Sequence, residues 1–339
     1  MNIKKRSIQQ YFIKVLNGMA LGLFSSLIIG VIIEQIGTLL NIEMLIYFGK
    51  FAKYMMGPAI GAAVGYSVGA SQLGIFASIV TGALGSQTAV FDGNIINLVI
   101  GEPVGAFVAS LVGAEFSKLI QGKTKVDIVL VPAGTIIVGG IVGVYLAPVL
   151  TKMMTFIGSI INYTTELRPF MMGILLSVIM GIMLTLPISS AALAISLKLS
   201  GLAAGASTIG CATQMIGFAI ISYRENRFGG LIAQGVGTSM LQVPNIIKNP
   251  RIWIPPIIAS AILGPVGTVI FKMESDYLGA GMGTAGFVGQ LRTYAVMGNE
   301  GVLGIVLLHF ILPAILTLGI SEYMRKKGWI KSGDMKLNN

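Results

Sequence analysis

Long apolar runs separated by short polar or basic segments make up most of the sequence. A helix needs roughly 20 apolar residues to cross the hydrocarbon core of a bilayer, and many of these runs approach or exceed that length. The predicted crossings are 15–36, 54–70, 71–91, 95–117, 126–150, 168–187, 229–247, 252–272, 277–297 and 300–321. The pattern therefore predicts an all-α polytopic membrane protein with about ten transmembrane helices.

One apolar stretch, 188–222, does not fit a simple crossing. It contains Lys198 and many small residues, and it is long enough for two short arms. We interpret it as a re-entrant hairpin with its tip at 205–214 (GASTIGCATQ), and we expect a counterpart at 85–97 (GSQTAVFDGNIIN). With a returning hairpin, the basic clusters before the first crossing, after the fourth and after the tenth all lie on one side. The positive-inside rule makes that side, with both termini, cytoplasmic.

Residues 151–167 have apolar positions at helical spacing, which predicts an interfacial amphipathic linker. This linker joins a first half, 1–150, to a second half, 168–325, and residues 326–339 form a cytoplasmic tail. A short, weak sequence repeat relates the halves: Gly22, Ser26, Ile28 and Gly30 recur as Gly173, Ser177, Ile179 and Gly181. We expect one membrane domain over 1–339, with the site of a transporter between two loosely related halves.

Composition agrees with a membrane location. Hydrophobic residues are 54% of the chain and charged residues only 11%, too few to cover a water-soluble surface. The net charge of +10 is concentrated at the ends of apolar segments, where basic residues meet lipid headgroups, so we expect no nucleic-acid partner. The single cysteine, Cys211, excludes an intrachain disulfide and a multi-cysteine metal site.

The sequence offers no catalytic constellation. His309 is the only histidine, and no two carboxylates share a helix face at catalytic spacing, so we predict no catalytic residues, metal or cofactor. Two interpretations of His309 remain open. It is either a proton relay or ligand contact, because ionisable residues inside spans are functional candidates, or a hydrogen-bonded packing residue.

A carboxylate and a proline interrupt the apolar run around residue 102. A residue before proline is pushed out of the helical region, and proline suits the first turn of a helix. We therefore predict irregular chain up to Glu102 and a helix from Pro103 to about Leu119. Irregular backbone at membrane depth must lie inside protein or beside a water-filled cavity. Glu102 is thus a candidate ligand or proton acceptor, the alternative being a structural helix cap.

Uncharged polar residues gather in three further groups, one in each predicted hairpin and one in the seventh crossing. The candidates for substrate binding are Gln87, Thr88, Asn94, Thr213, Gln214, Gln234, Thr238, Gln242 and Asn245, together with Glu102 and His309. Gln234, Thr238 and Gln242 are spaced to share one helix face. Amides, hydroxyls and one carboxylate suit a polyhydroxylated, uncharged ligand such as a sugar. For the glutamines, hydrogen bonding between helices is the alternative.

The chain resembles the membrane permease (enzyme IIC) component of the bacterial sugar phosphotransferase system. More narrowly, it resembles the stand-alone branch that includes membrane proteins of the perfringolysin-regulator type. Glucose-superfamily permeases carry a Gly-Ile-Thr-Glu-Pro signature whose glutamate binds sugar hydroxyls. Glu102-Pro103 matches the end of that signature, whereas Ile100-Gly101 stands where Ile-Thr would. The resemblance implies a homodimer, alternating access, and phosphorylation through separate IIA and IIB proteins, since this chain contains neither.

Three functions are compatible with these observations. The first is a phosphotransferase-type permease for a sugar or similar neutral solute, acting at most as the membrane subunit of a sugar phosphotransferase complex. The second is a transporter of the same fold driven by protons or the solute gradient. The third is a membrane sensor that regulates gene expression.

Overall fold

The computed structural model describes residues 2–92 and 95–337, and almost all of this part of the chain is helical. The chain divides into two compact units, residues 1–153 and 154–339. Six helical stretches are long and apolar enough to cross a membrane, and they are Gln10–Leu40, Pro103–Ile120, Asp127–Thr165, Gly201–Ile221, Pro250–Ile270 and Ala285–Lys326. An all-α polytopic membrane protein is therefore confirmed, while the number of ten crossings stays a prediction.

The first unit contains six helices, a β-hairpin and the start of a seventh helix. They are α1 (Asn2–Leu23), α2 (Ile29–Leu40), α3 (Glu43–Tyr54), α4 (Met56–Val68), α5 (Gln72–Ser86), β1 (Ala89–Asp92), β2 (Ile95–Leu98), α6 (Pro103–Ile120) and α7 (Asp127–Thr165). Helix α4 packs against α1, α5 and α6, and α2 packs against α3. The sequence pattern did not predict α3, because its twelve residues are too few and too polar for a crossing.

Two predictions in this unit need correction. The crossing predicted at 95–117 is wrong, because residues 95–98 form strand β2 and the helix begins only at Pro103. The predicted helix at 151–167 is present, but up to Thr165 it continues α7 instead of forming a separate element. Between Pro148 and Gly158 the sequence contains neither glycine nor proline, so nothing in it ends the helix there.

The second unit begins within α7 and continues through nine more helices. They are α8 (Pro169–Thr185), α9 (Ser190–Ser196), α10 (Gly201–Ile221), α11 (Tyr223–Ile232), α12 (Val243–Lys248), α13 (Ile254–Pro265), α14 (Val288–Met297), α15 (Val302–Val306) and α16 (Leu312–Lys326). Helix α10 lies at the centre and packs against α8, α13 and α16. Its small residues permit close approach, since any side chain at Gly210 would overlap the Ser177 backbone of α8.

The hairpin predicted at 188–222 is wrong in its main feature. Residues 205–214, the predicted tip, lie in the middle of the single 21-residue helix α10. The small residues that we had interpreted as a turn are instead the packing surface of a buried helix. The helical path is interrupted earlier, because α9 ends at Ser196 and Lys198 has a left-handed backbone conformation (φ 50°) before α10 begins at Gly201.

The crossings predicted at 229–247 and 277–297 are also interrupted. In the first, helix α11 passes into a π-helical turn (Ala233–Gly237), Thr238 is extended (φ −162°), and a 3-10 turn (Ser239–Gln242) leads into α12. We call residues 223–248 the broken segment. In the second, turns occupy residues 277–284 and α14 has only ten residues. Glycines at 235, 237, 281 and 283 accompany these interruptions.

Candidate functional site

The first unit places Glu102 directly at the start of α6. Its backbone is extended (φ −92°, ψ 123°), and Pro103 occupies the first turn of the helix. The predicted irregular chain followed by a helix at Pro103 is therefore confirmed. Glu102 is half-buried at the positive end of the helix dipole, and its side chain makes no capping hydrogen bond to the α6 backbone.

The end of α5 holds this site together. The backbone N–H of Glu102 donates to the Ser86 carbonyl oxygen at 3.0 Å, and the hydroxyl groups of Ser86 and Thr88 are 2.7 Å apart. A side chain at Gly101 would overlap the Ser86 carbonyl group. Glycine at position 101, where the permease signature has threonine, is thus required by the close approach of the two backbone segments.

Gln87 and Thr88, predicted to bind substrate, flank the turn into the β-hairpin. Gln87 has a left-handed backbone (φ 58°) and an exposed side chain, whereas Thr88 is buried. Val99 donates a backbone hydrogen bond to the Thr88 carbonyl oxygen at 2.9 Å, which brings the far end of the hairpin back to the start. Asn94, the third candidate in this region, lies outside the described residues.

In the second unit, Gln214 of α10 lies at the centre of a buried polar group. Its Oε1 atom accepts hydrogen bonds from Trp253 Nε1 at 2.9 Å and from the Thr185 hydroxyl at 3.3 Å. The Thr185 and Ser239 hydroxyl groups are 2.8 Å apart, and Ser239 directly follows the interruption at Thr238. The group therefore joins four helical elements: α8, α10, the 3-10 turn at Ser239–Gln242 and a second 3-10 turn at Pro250–Trp253.

Three buried amides of the broken segment form a hydrogen-bonded chain. Gln242 Nε2 donates to Gln234 Oε1 at 2.8 Å, and Asn245 Nδ2 donates to Gln242 Oε1 at 2.8 Å. Gln234 also donates to the Ser222 hydroxyl at 2.9 Å. The prediction that Gln234, Thr238 and Gln242 share one face of a regular helix is wrong, because the chain extends at Thr238. The folded-back backbone nonetheless brings Gln234 and Gln242 together.

The chain after α16 returns to these amides. We call residues 328–337 the C-terminal strap. The Met335 carbonyl oxygen accepts hydrogen bonds from Asn226 at 2.8 Å and Gln242 at 3.0 Å, and the Lys336 carbonyl oxygen accepts one from Asn245 at 2.9 Å. Gln242 and Asn245, predicted as substrate contacts, thus donate to the strap in this structure. A cavity of about 550 Å³ adjoins the strap and is lined by Glu225, Asn226, Gly229, Gly230, Ala233, Lys336 and Leu337.

Two other candidate hydroxyl groups serve the backbone. Thr213 donates to the Ile209 carbonyl oxygen of its own helix at 2.8 Å, and both residues are fully buried. The Thr238 hydroxyl accepts a hydrogen bond from the Met240 backbone N–H at 3.2 Å and caps the 3-10 turn. In this arrangement both hydroxyl groups have structural partners.

His309 is fully buried on a π-helical turn (Leu307–Ile311) and is paired with Gln290 of α14. Its Nδ1 atom lies 3.1 Å from Gln290 Nε2. Which of the two atoms donates depends on the imidazole tautomer and on the orientation of the amide. Within the described part of the chain, neither His309 Nε2 nor Gln290 Oε1 has a hydrogen-bond partner.

The charged groups near these sites are largely paired. Arg292 of α14 donates through Nε to Asp276 Oδ2 at 2.8 Å. Burial alone would raise the pKa of Asp276, but hydrogen bonds from Arg292 and from nearby backbone N–H groups hold it below its ordinary value. Buried Glu225 pairs with Arg325 at 3.0 Å. Over residues 2–92 and 95–337, no three His, Cys, Asp or Glu side chains converge as metal ligands would.

Several residues of these groups were missed by sequence reasoning. Thr185 and Ser222 are single hydroxyl groups, and nothing in their spacing marks them. Trp253 offered one signal, since the chain has only two tryptophans and this one follows directly after Asn249-Pro250-Arg251-Ile252 at the start of an apolar run. Its indole N–H has to find an acceptor when buried.

Comparison with known families gave a match that covers nearly the whole chain. Residues 13–337 match the family described as Phosphotransferase system, EIIC. Searches of curated proteins and of solved structures returned no match.

Proposed function

Because the chain belongs to the EIIC family of the phosphotransferase system, we propose that it translocates a sugar or a similar polyhydroxylated, uncharged solute by alternating access. Family membership and the apolar helices make it a membrane permease of the bacterial inner membrane. The match over residues 13–337 is the observation that carries the proposal.

The chemistry of the buried polar groups supports an uncharged solute. In the second unit the group around Gln214 consists of an amide, an indole and two hydroxyls, which provide neutral donors and acceptors. Arg292, which would otherwise attract an anion, is paired with Asp276. An anionic substrate would lack a strong cationic partner at either place.

Glu102 is the proposed acceptor for a solute hydroxyl group in the first unit. A carboxylate accepts stronger hydrogen bonds than a neutral oxygen does, and Glu102 is presented at a helix start that favours its charge. Gln87 and Thr88 lie on the adjoining turn and are proposed to assist. Gln214 is the proposed contact in the second unit, and His309 with Gln290 is a further candidate there.

We also propose that the protein works as a homodimer with cytoplasmic termini and that separate IIA and IIB proteins phosphorylate the solute. The basic residues near the C-terminus, Lys326, Lys327 and Lys331, give this region a positive charge for docking an acidic partner. The chain itself contributes binding and translocation, while the phosphoryl transfer chemistry belongs to the partners.

Membrane vesicles provide the test. Vesicles that contain the protein are offered labelled hexoses, pentoses and hexitols, with or without phosphoenolpyruvate and the soluble phosphotransferase proteins. The proposal predicts uptake of at least one neutral solute that requires phosphoenolpyruvate. Uptake that is independent of phosphoenolpyruvate and abolished by a protonophore would contradict the coupling, and vesicles without uptake of any neutral solute would contradict the function.

A further inference from the structure

Gln214 has one buried hydrogen-bond donor without a partner. The residue lies on α10 and is fully buried. Its oxygen accepts two hydrogen bonds, from Trp253 and Thr185, but its Nε2 atom has no partner among the described residues. Leaving a buried amide N–H without an acceptor is costly, so the donor calls for an acceptor that the protein itself does not supply.

Trp253 determines which way the Gln214 amide points. The two ends of a glutamine amide are similar in shape, and their assignment follows from their hydrogen-bond partners. An indole N–H donates and never accepts, so the amide atom that faces Trp253 at 2.9 Å has to be the oxygen. Nε2 is therefore turned away from Trp253, and an exchange of the two amide atoms would place two donors face to face.

The polar group that contains Gln214 is uncharged and hydroxylated. The hydrogen-bond partners of Gln214 Oε1 and Thr185 include Trp253, Ser239 and the Gly181 carbonyl oxygen, and none of these three carries a charge. Ser239 begins the 3-10 turn just after the extended residue Thr238. Trp253 is half-buried, so the indole ring provides an apolar surface beside the polar group. An aromatic face beside amide and hydroxyl groups is suited to a polyhydroxylated ligand with apolar C–H faces.

We infer that Gln214 Nε2 donates a hydrogen bond to a hydroxyl or ring oxygen of the transported neutral solute, and that Trp253 is the positioning residue that orients this amide. The inference rests on the proposed function and adds a specific donor and a residue that sets its direction. An anion is disfavoured, because the group offers it no positive charge.

Substitutions separate the two roles. Trp253→Phe keeps an aromatic ring but removes the indole N–H, so the Gln214 amide can turn over and its donor is presented only part of the time. We expect the KM for the solute to rise about fivefold while kcat changes little, as for the loss of one neutral hydrogen bond. Gln214→Met removes the donor altogether and should raise the KM by about tenfold or more. Trp329→Phe is the matched control, since its side chain is half exposed and only its backbone atoms are hydrogen-bonded.

The decisive experiment uses the fluorescence of Trp253. In W329F, Trp253 is the only tryptophan, and the purified protein is titrated with neutral hexoses, pentoses and hexitols and with inorganic phosphate. We expect a saturable change of Trp253 emission with a neutral solute that vesicles take up, no change with phosphate, and half-saturation shifted about tenfold when Gln214→Met is added. Thermal unfolding confirms that each variant is folded.

The possible results are distinct. If the solute is taken up but Q214M and W253F leave its half-saturation and KM unchanged, the unpaired donor binds only a water molecule and the inference is wrong while the function stands. If Q214M fails to fold, the KM values of W253F and W329F are compared instead. A higher KM for W253F supports the inference, and equal KM values contradict it. If no neutral solute is taken up or bound, both the inference and the proposed function fail.

Discussion

Gln242 donates a hydrogen bond to the carbonyl oxygen of Met335 at 3.0 Å, although the two residues are 93 positions apart. The same carbonyl oxygen accepts a bond from Asn226 on the other side of the interruption at Thr238. One backbone atom of the C-terminal strap thus connects both arms of the broken segment. Met335 and Ile330 are buried beneath it in an apolar cluster with Phe218 and Ile246.

Removing the strap should therefore destabilise the second unit. A chain that ends after Gly328 loses these hydrogen bonds and two buried apolar side chains, a loss on the order of 3 kcal/mol or more. Thermal unfolding in detergent should show a clearly lower midpoint. A chain that ends after Leu337 keeps the strap and is the control. Equal midpoints for the two truncated chains would mean that the strap contributes no stability.

Gln234→Leu tests whether the amide chain is structural. The substitution removes the hydrogen-bond partner of the Ser222 hydroxyl and one of the acceptors of the Gln242 amide, which should cost about 1 to 3 kcal/mol of unfolding free energy. Gln72→Leu, at an exposed position in the first turn of α5, is the matched control and should change stability little. If Gln234→Leu unfolds like the wild-type protein but loses affinity for its solute, the amide acts in binding instead.

Gly101→Thr would restore the threonine of the permease signature but would distort the local backbone. The threonine side chain would overlap the Ser86 carbonyl group, so we expect the hairpin to shift away from Glu102 and transport activity to fall by at least about tenfold. Gly319→Ala is the control, because that helical glycine has open space around it and alanine favours a helix. Full uptake by Gly101→Thr would show that the close contact between 86 and 101 is dispensable.

The Asp276–Arg292 pair should respond to pH only under acid conditions. Because the folded-state pKa of Asp276 is lowered, the stability it contributes is present above the unfolded-state pKa and is lost as the pH falls through the folded-state value. The difference in melting temperature between the wild-type protein and Asp276→Asn should stay constant from about pH 8 to pH 5 and shrink below about pH 4. A difference that already declines near pH 6 would contradict the lowered pKa.

The sequence was informative where backbone chemistry alone decides the structure. Glu102-Pro103 predicted the helix start at Pro103, because the restriction on the residue before proline is local. The sequence pattern gave a wrong prediction where the same residues are compatible with two structures. Small residues such as Gly205, Ser207 and Gly210 are common both in turns and in tightly packed helices. Here they form a helix because α10 packs against neighbouring helices.

The composition of the polar groups was predictable, but their partners were not. Gln214, Gln234 and Gln242 were identified as candidates from their residue type within apolar runs. Gln242 contacts Met335 of the strap, which is 93 positions away in the sequence. Gln214 contacts Trp253, which is 39 positions away. No local pattern encodes contacts at such separations, so the sequence could name these residues without assigning their roles.

The central claim is that this permease carries a neutral solute and that Glu102 accepts a hydrogen bond from it. Uptake into proteoliposomes tests this claim most directly. The wild-type protein, Glu102→Gln and the exposed control Glu43→Gln are reconstituted. The initial uptake of a labelled neutral solute is then measured over a range of concentrations, with phosphoenolpyruvate and the soluble phosphotransferase proteins supplied. We expect saturable uptake by the wild-type and Glu43→Gln proteins and a loss of about tenfold or more in kcat/KM for Glu102→Gln, as for a lost charge-assisted hydrogen bond. Saturable uptake of anions alone, or equal uptake by Glu102→Gln and the wild-type protein, would contradict the account.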